Sequence, residues 1–189
     1  GGPIDEQLAN KLSELFPEIK VDFKLTEGIA GQANLEALEV LLNPEELNQD
    51  TLPHEYAHHY ISWFRDTELV QAAIEKWGSE EALVQAIGEQ VVEQKGEAYN
   101  WWQKFTKWVQ NLFNNVSTAS KEELRNILTD AMLTRTNIVT QKELTKAELL
   151  ERRKKGLYNQ QAQPTKIKED SEALKSALEA AMNSLNSRI

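Results

Sequence analysis

The sequence predicts an α+β fold: a small N-terminal sheet, a single motif-bearing helix, and a mostly helical lower half followed by a helical C-terminal extension. Three observations carry this reading. Between Ile19 and Leu25 apolar and charged residues alternate, the period of a half-buried strand. From Thr51 onward apolar residues recur at three- and four-residue steps, the period of a helix. Helix start and stop residues, Thr67, Gly78, Ser79 and Ser120, then punctuate the chain at helical lengths.

Taken in order, Ile4, Leu8, Leu12, Leu15 and Phe16 fall at helical spacing until Pro17 stops the pattern. Ile19, Val21, Phe23 and Leu25 form the first strand, Gly28 to Asn34 reads as a turn region, and Leu35 to Leu42 reads as a second strand ended by Asn43-Pro44. Thr51 offers an N-cap hydroxyl for the next helix, with Pro53 in its first turn. Leu52, Tyr56, Tyr60 and Trp63 make one apolar stripe and Ala57, Ile61 and Phe64 another, so this helix expects burial on most sides. Thr67 opens a helix that Gly78 closes; Ser79 opens the next, with Glu80 and Glu81 at the positive end of its dipole and Leu83, Val84, Ile87 and Val91 as core stripe.

Trp101, Trp102, Phe105, Trp108, Val109, Leu112 and Phe113 form a wide stripe whose default role is core packing, a substrate or partner groove being the sharper alternative. Ser120 starts a helix with Leu124, Ile127, Leu128, Ala131 and Met132 on one face. We place the main domain at 1–139. The extension, 140–189, is strongly charged up to Arg152-Arg153-Lys154-Lys155, has a linker near 156–166, and ends in a helix with Ile167, Leu174, Leu178, Ala181 and Leu185 at near-heptad spacing that needs a surface to cover.

The 189 residues suffice for one ordinary core plus this extension. A net charge of −9 argues against nucleic acid and anionic lipid as partners, because an acidic surface repels both. The chain has no apolar run long enough to span a membrane and no basic-then-apolar leader, so its localisation stays open. Gly1-Gly2-Pro3 looks like a cloning remnant or an excised edge, which suggests a piece of a longer polypeptide with neighbouring domains.

The chemistry concentrates in His54-Glu55-Tyr56-Ala57-His58-His59, which holds all three histidines of the chain. On a helix, residues four apart lie about 40° apart, so His54 and His58 can converge on one zinc ion while His59 points about 140° from His54. Glu55 stands where a general base would take a proton from zinc-bound water and pass it to a leaving amine. The three-histidine extension of this motif would need glycine and histidine where the chain has Ile61 and Phe64, and there is no cysteine, so the third ligand must be a carboxylate. That leaves a His-His-Glu site with an open fourth position. The bland alternative is a core helix whose histidines bond to ordinary polar groups.

Three glutamates compete for the third place. Glu89 shares a face with Ala82, Ala86 and Val92, small or apolar neighbours that suit a close helix crossing, and ranks first as ligand. Glu93, four residues on, is second, either as an alternative ligand or as the acceptor of a ligand histidine's free ring N–H. Glu97 keeps the polar company of Gln90, Gln94, Asn100 and Lys104 and ranks third.

The run Thr51-Leu52-Pro53-His54-Glu55-Tyr56-Ala57-His58-His59, followed about thirty residues later by Gly88-Glu89-Gln90-Val91-Val92, resembles the gluzincin side of the zincin metallopeptidases. More narrowly, it is similar to metallopeptidase domains embedded in large polyvalent proteins of bacteriophages. The resemblance covers residues 19 to 113 and is specific in the His-Glu-x-x-His element. It implies a zincin-like fold, Zn2+, peptide-bond hydrolysis, ligands at His54, His58 and Glu89, Glu55 as base, and a virion or host-cytoplasm setting. The oxyanion-stabilising residue has no unambiguous counterpart; Tyr99 is the candidate, with Tyr60, Tyr158 and His59 behind it.

The expected function is therefore zinc-dependent endopeptidase activity on a peptide or protein substrate. An edge strand above the metal, with Leu35 to Leu42 as candidate, would pair with the extended substrate. The rivals are a non-catalytic zincin-fold module of a larger particle and a protease that processes its own parent chain once.

Overall fold

Asp5 opens the first helix, α1 (Glu6–Leu15), by accepting hydrogen bonds from the backbone N–H groups of Gln7 and Leu8. The computed structural model describes residues 5–24, 28–105, 115–162 and 180–183. The architecture is α+β. Leu8 and Leu12 of α1 are buried, and Phe16 just beyond it packs its ring 5.8 to 6.3 Å from those of Tyr56, Tyr60 and Trp63.

Three short strands follow: β1 (Lys20–Phe23), β2 (Gly31–Asn34) and β3 (Glu39–Leu42), in the spatial order β1-β3-β2. β1 runs parallel to β3, with Lys20 opposite Glu39; β2 runs antiparallel to β3, with Gly31 opposite Leu42. This corrects the expected strand at 35–42 and the expected turn at 28–34. Residues 35–38 are the turn, because Leu38 takes a positive φ of 54° and the Asn34 side chain accepts the Ala37 N–H. Leu38 is buried from within that turn, which is why its apolar character read as strand. The edge strand beside the motif helix is consequently β2, and β3 is central.

The motif helix is α2 (Thr51–Trp63), and both expected stripes are buried: Tyr56, Ala57, Tyr60, Ile61, Trp63 and Phe64 are all 1 % exposed or less. Its N-cap is Asp50 rather than Thr51, whose hydroxyl instead donates to Asn48 Oδ1 at 2.9 Å. Thr67 caps α3 (Glu68–Trp77), Gly78 closes it at φ 94°, and Ser79 caps α4 (Glu80–Glu93), as their residue types dictate. Leu83, Val84, Ile87 and Val91 are fully buried.

Residues 101–105 are helical, with Trp102 and Phe105 in the core; Trp108, Val109, Leu112 and Phe113 lie outside the described residues. After α5 (Asn115–Thr118), Ser120 caps α6 (Lys121–Leu133), whose predicted face is buried. A two-stranded hairpin, β4 (Thr136–Asn137) and β5 (Lys142–Glu143), leads into α7 (Lys146–Ala162).

The core does not stop at 139: Leu144 and Leu149 are fully buried in the same hydrophobic cluster as α2 and α4. The linker expected near 156–166 is helix as far as Ala162. Gly156 sits in that helix because its backbone crosses the end of α2, where a Cβ would lie 2.6 Å from the Ser62 carbonyl oxygen. Residues 180–183 are helical and exposed, and the rest of the near-heptad pattern lies outside the described residues. Among the described residues no helix is long and apolar enough to cross a membrane.

Candidate metal centre

Helical spacing places His54 and His58 one turn apart on α2, with ring centroids 4.8 Å apart and planes inclined at 72°. Both Nε2 atoms meet a single carboxylate. Glu81 Oε1 lies 2.9 Å from His54 Nε2, and Glu81 Oε2 lies 2.9 Å from His58 Nε2. Glu81 stands in the first turn of α4. The side chains grade from a buried His54, 11 % exposed, through His58 at 24 % to Glu81 at 67 %, so the group opens to solvent on the Glu81 side.

Two glycines let the backbones close around this group. A Cβ on Gly88 of α4 would stand 3.1 Å from both the N and Cα atoms of His54, so Gly88 marks the crossing of α4 over α2. A Cβ on Gly31 of β2 would fall 2.8 Å from Thr51 Cγ2 and 3.1 Å from Glu55 Oε2, so the edge strand passes directly beside the Glu55 carboxylate. Ligating atoms of His54, Glu55 and His58 lie within 4.8 Å of one another.

The electrostatics follow from burial and pairing. Burial raises the pKa of Glu55, with the neighbouring His58 and His54 imidazoles partly offsetting it. Burial opposes the charging of His54, but its hydrogen bond to Glu81 and the nearby charge of Glu55 outweigh that and raise its pKa. The hydrogen bonds from His54 and His58 hold Glu81 far below the usual carboxylate range. His59 behaves differently: burial pushes its pKa down to about 4, and its Nε2–H donates to the Glu39 carbonyl at 2.9 Å. It is a neutral tie between α2 and β3.

The structure brings His54, Glu55 and His58 together, and the carboxylate it sets against the two rings is Glu81 rather than Glu89. Glu89 is exposed and accepts from Gln85 Nε2 at 2.9 Å, while the same amide donates to Asp50 Oδ2 at 2.7 Å. Glu93 is exposed about 18 Å further along the α4 axis than Glu81, and Glu97 pairs with Lys11 at 2.8 Å. The missed signal was Gly88. Counting back seven residues, two turns on the same face, arrives at Glu81, whereas Glu89 lies one residue off that stripe.

None of the oxyanion candidates joins the group. The Tyr99 backbone N–H donates to Asp130, as does the Gln94 side chain, which fixes Tyr99 beyond the C-terminal end of α4, opposite the turn that carries Glu81. Tyr60 is committed by donating its hydroxyl hydrogen to the Thr136 carbonyl, His59 to Glu39, and Tyr158 is 70 % exposed on α7.

His54, Glu55 and His58, with ligating atoms within 4.8 Å of one another, are a group able to hold a metal ion, and Glu81 directs one oxygen at each ring nitrogen. Compared with known proteins, the chain matches no protein-family model, no curated protein and no solved structure.

Proposed function

We propose that this chain is a zincin-like, zinc-dependent peptidase domain in which His54, His58 and Glu81 hold the metal and Glu55 is the general base. The observation that supports it is the convergence of both Nε2 atoms on the Glu81 carboxylate with Glu55 buried alongside. Bound zinc supplies an acidified water and a polarised scissile carbonyl.

The protein groups divide the remaining work. The Glu55 carboxylate takes a proton as the water oxygen bonds to the carbonyl carbon, and delivers it to the amide nitrogen as the C–N bond breaks. Its raised pKa suits both directions of transfer. β2 is an outer strand of the sheet, and Gly31 keeps its backbone against Glu55, so an extended peptide paired along β2 would run its scissile bond past the base. A peptide or protein is the substrate class this arrangement takes.

Glu55→Gln removes the base while leaving the ligands in place. We expect that variant to bind zinc as the wild type does and to lose about 10²–10⁴-fold in cleavage rate on a peptide library. Undiminished cleavage would reject the mechanism.

A further inference from the structure

The helix that delivers Glu81 is anchored to α2 at two points, and the second is an ion pair. α4 crosses α2 with Gly88 against His54. At the other end, Arg65, immediately after the α2 C-cap, meets Glu80 with both carboxylate oxygens on one guanidinium nitrogen, Nη2. The pair is largely out of water, with side-chain exposures of 6 % and 16 %. Arg65 Nε and Nη1 are buried and find no hydrogen-bond partner among the described residues, so Glu80 is what holds the guanidinium. The turn that carries Arg65 is itself braced by α7, where Arg152 bonds Asp66 at 2.7 Å and lies 5.3 Å over the Phe64 ring.

A desolvated ion pair contributes little net stability but fixes relative position, because the charges lose much if they separate. Glu80 is joined to Glu81 by one peptide bond, so whatever sets Glu80 sets the height at which Glu81 meets the rings. We propose that Arg65, through Glu80, is a positioning residue for the Glu81 ligand. This rests on the metal-site reading above.

The test is zinc affinity of the full chain, measured by competition with a chromophoric chelator. Glu80→Gln keeps the volume of the pair and removes its charge; Arg65→Met removes the other half. Each should weaken zinc binding about 10–100-fold, the usual cost of removing an outer partner of a metal ligand, and Arg65→Lys should recover part of it. Arg135→Met is the control: it breaks a pair with Glu18 at 2.7 Å that includes neither the histidines nor α4, and should lower thermal stability with zinc affinity unchanged.

Wild-type affinity in Glu80→Gln, or an equal loss in Arg135→Met, would overturn the positioning role. A wild-type chain that takes up no zinc, or one that binds it undiminished in His58→Ala, would overturn the metal site itself and this inference with it.

Discussion

A carboxylate that bonds two imidazoles one turn apart must come from a backbone that lies across both, and on α4 the stripe through Glu81 and Gly88 faces α2 in this way. The dyad was legible in the sequence because helix geometry alone brings residues four apart together. The carboxylate that meets the dyad was not, because it depends on which end of a later helix crosses the motif, and that is decided by tertiary packing. Glu80 and Glu81 read equally well as charges complementing a helix dipole, which concealed the second role. Calorimetric zinc titration separates the two assignments. Glu81→Gln should weaken binding by more than the about 10–100-fold that an outer partner costs, and Glu89→Gln should lose no more than that outer-partner range through Gln85. The opposite ranking would restore Glu89 as the ligand.

Among the elements, most caps fixed by local chemistry were legible, with Thr51 the exception. Thr67, Gly78, Ser79 and Ser120 each sit at the cap their side chain or lack of one favours. Elements defined by contacts across the fold are harder to read: Leu38 fits an apolar strand run yet is buried from a turn, and Gly156, which with the glutamines and Pro164 reads as a linker, lies inside a helix. The cause of that glycine is the crossing with α2. In an ordinary helix interior Gly→Ala is stabilising by up to about 1 kcal/mol. At position 156 the added methyl would meet the Ser62 carbonyl at 2.6 Å, and overpacking of this kind costs about 1–3 kcal/mol, so Gly156→Ala should be net destabilising. Urea unfolding at unchanged slope reads this directly; a raised midpoint would contradict the crossing.

At the scale of the whole molecule, one buried helix organises the fold: α2 packs against the sheet, α1, α4 and α7, and His59 and Tyr60 among its polar side chains tie it to β3 and β4. His59 is such a tie and makes global stability pH-dependent. Its folded-state pKa of about 4 lies below the ordinary 6.5, so between those values the unfolded chain takes up a proton that the folded chain refuses. Stability contributed by His59 is complete above pH 6.5 and is lost as pH falls toward 4, by about 3 kcal/mol at most. In metal-free protein, His59→Gln should flatten the slope of unfolding free energy across that window, and an unchanged slope would show that His59 is not the titrating group.

The central claim is that α2 and α4 together form a three-ligand metal site with one corner open, and diffraction from crystals grown with zinc, recorded across the zinc absorption edge, tests it most directly. The account predicts one anomalous peak about 2.0–2.2 Å from His54 Nε2, His58 Nε2 and a Glu81 oxygen, with no fourth protein ligand. A peak bonded to Glu89, a site closed by four protein ligands, or no peak between the histidines would contradict it.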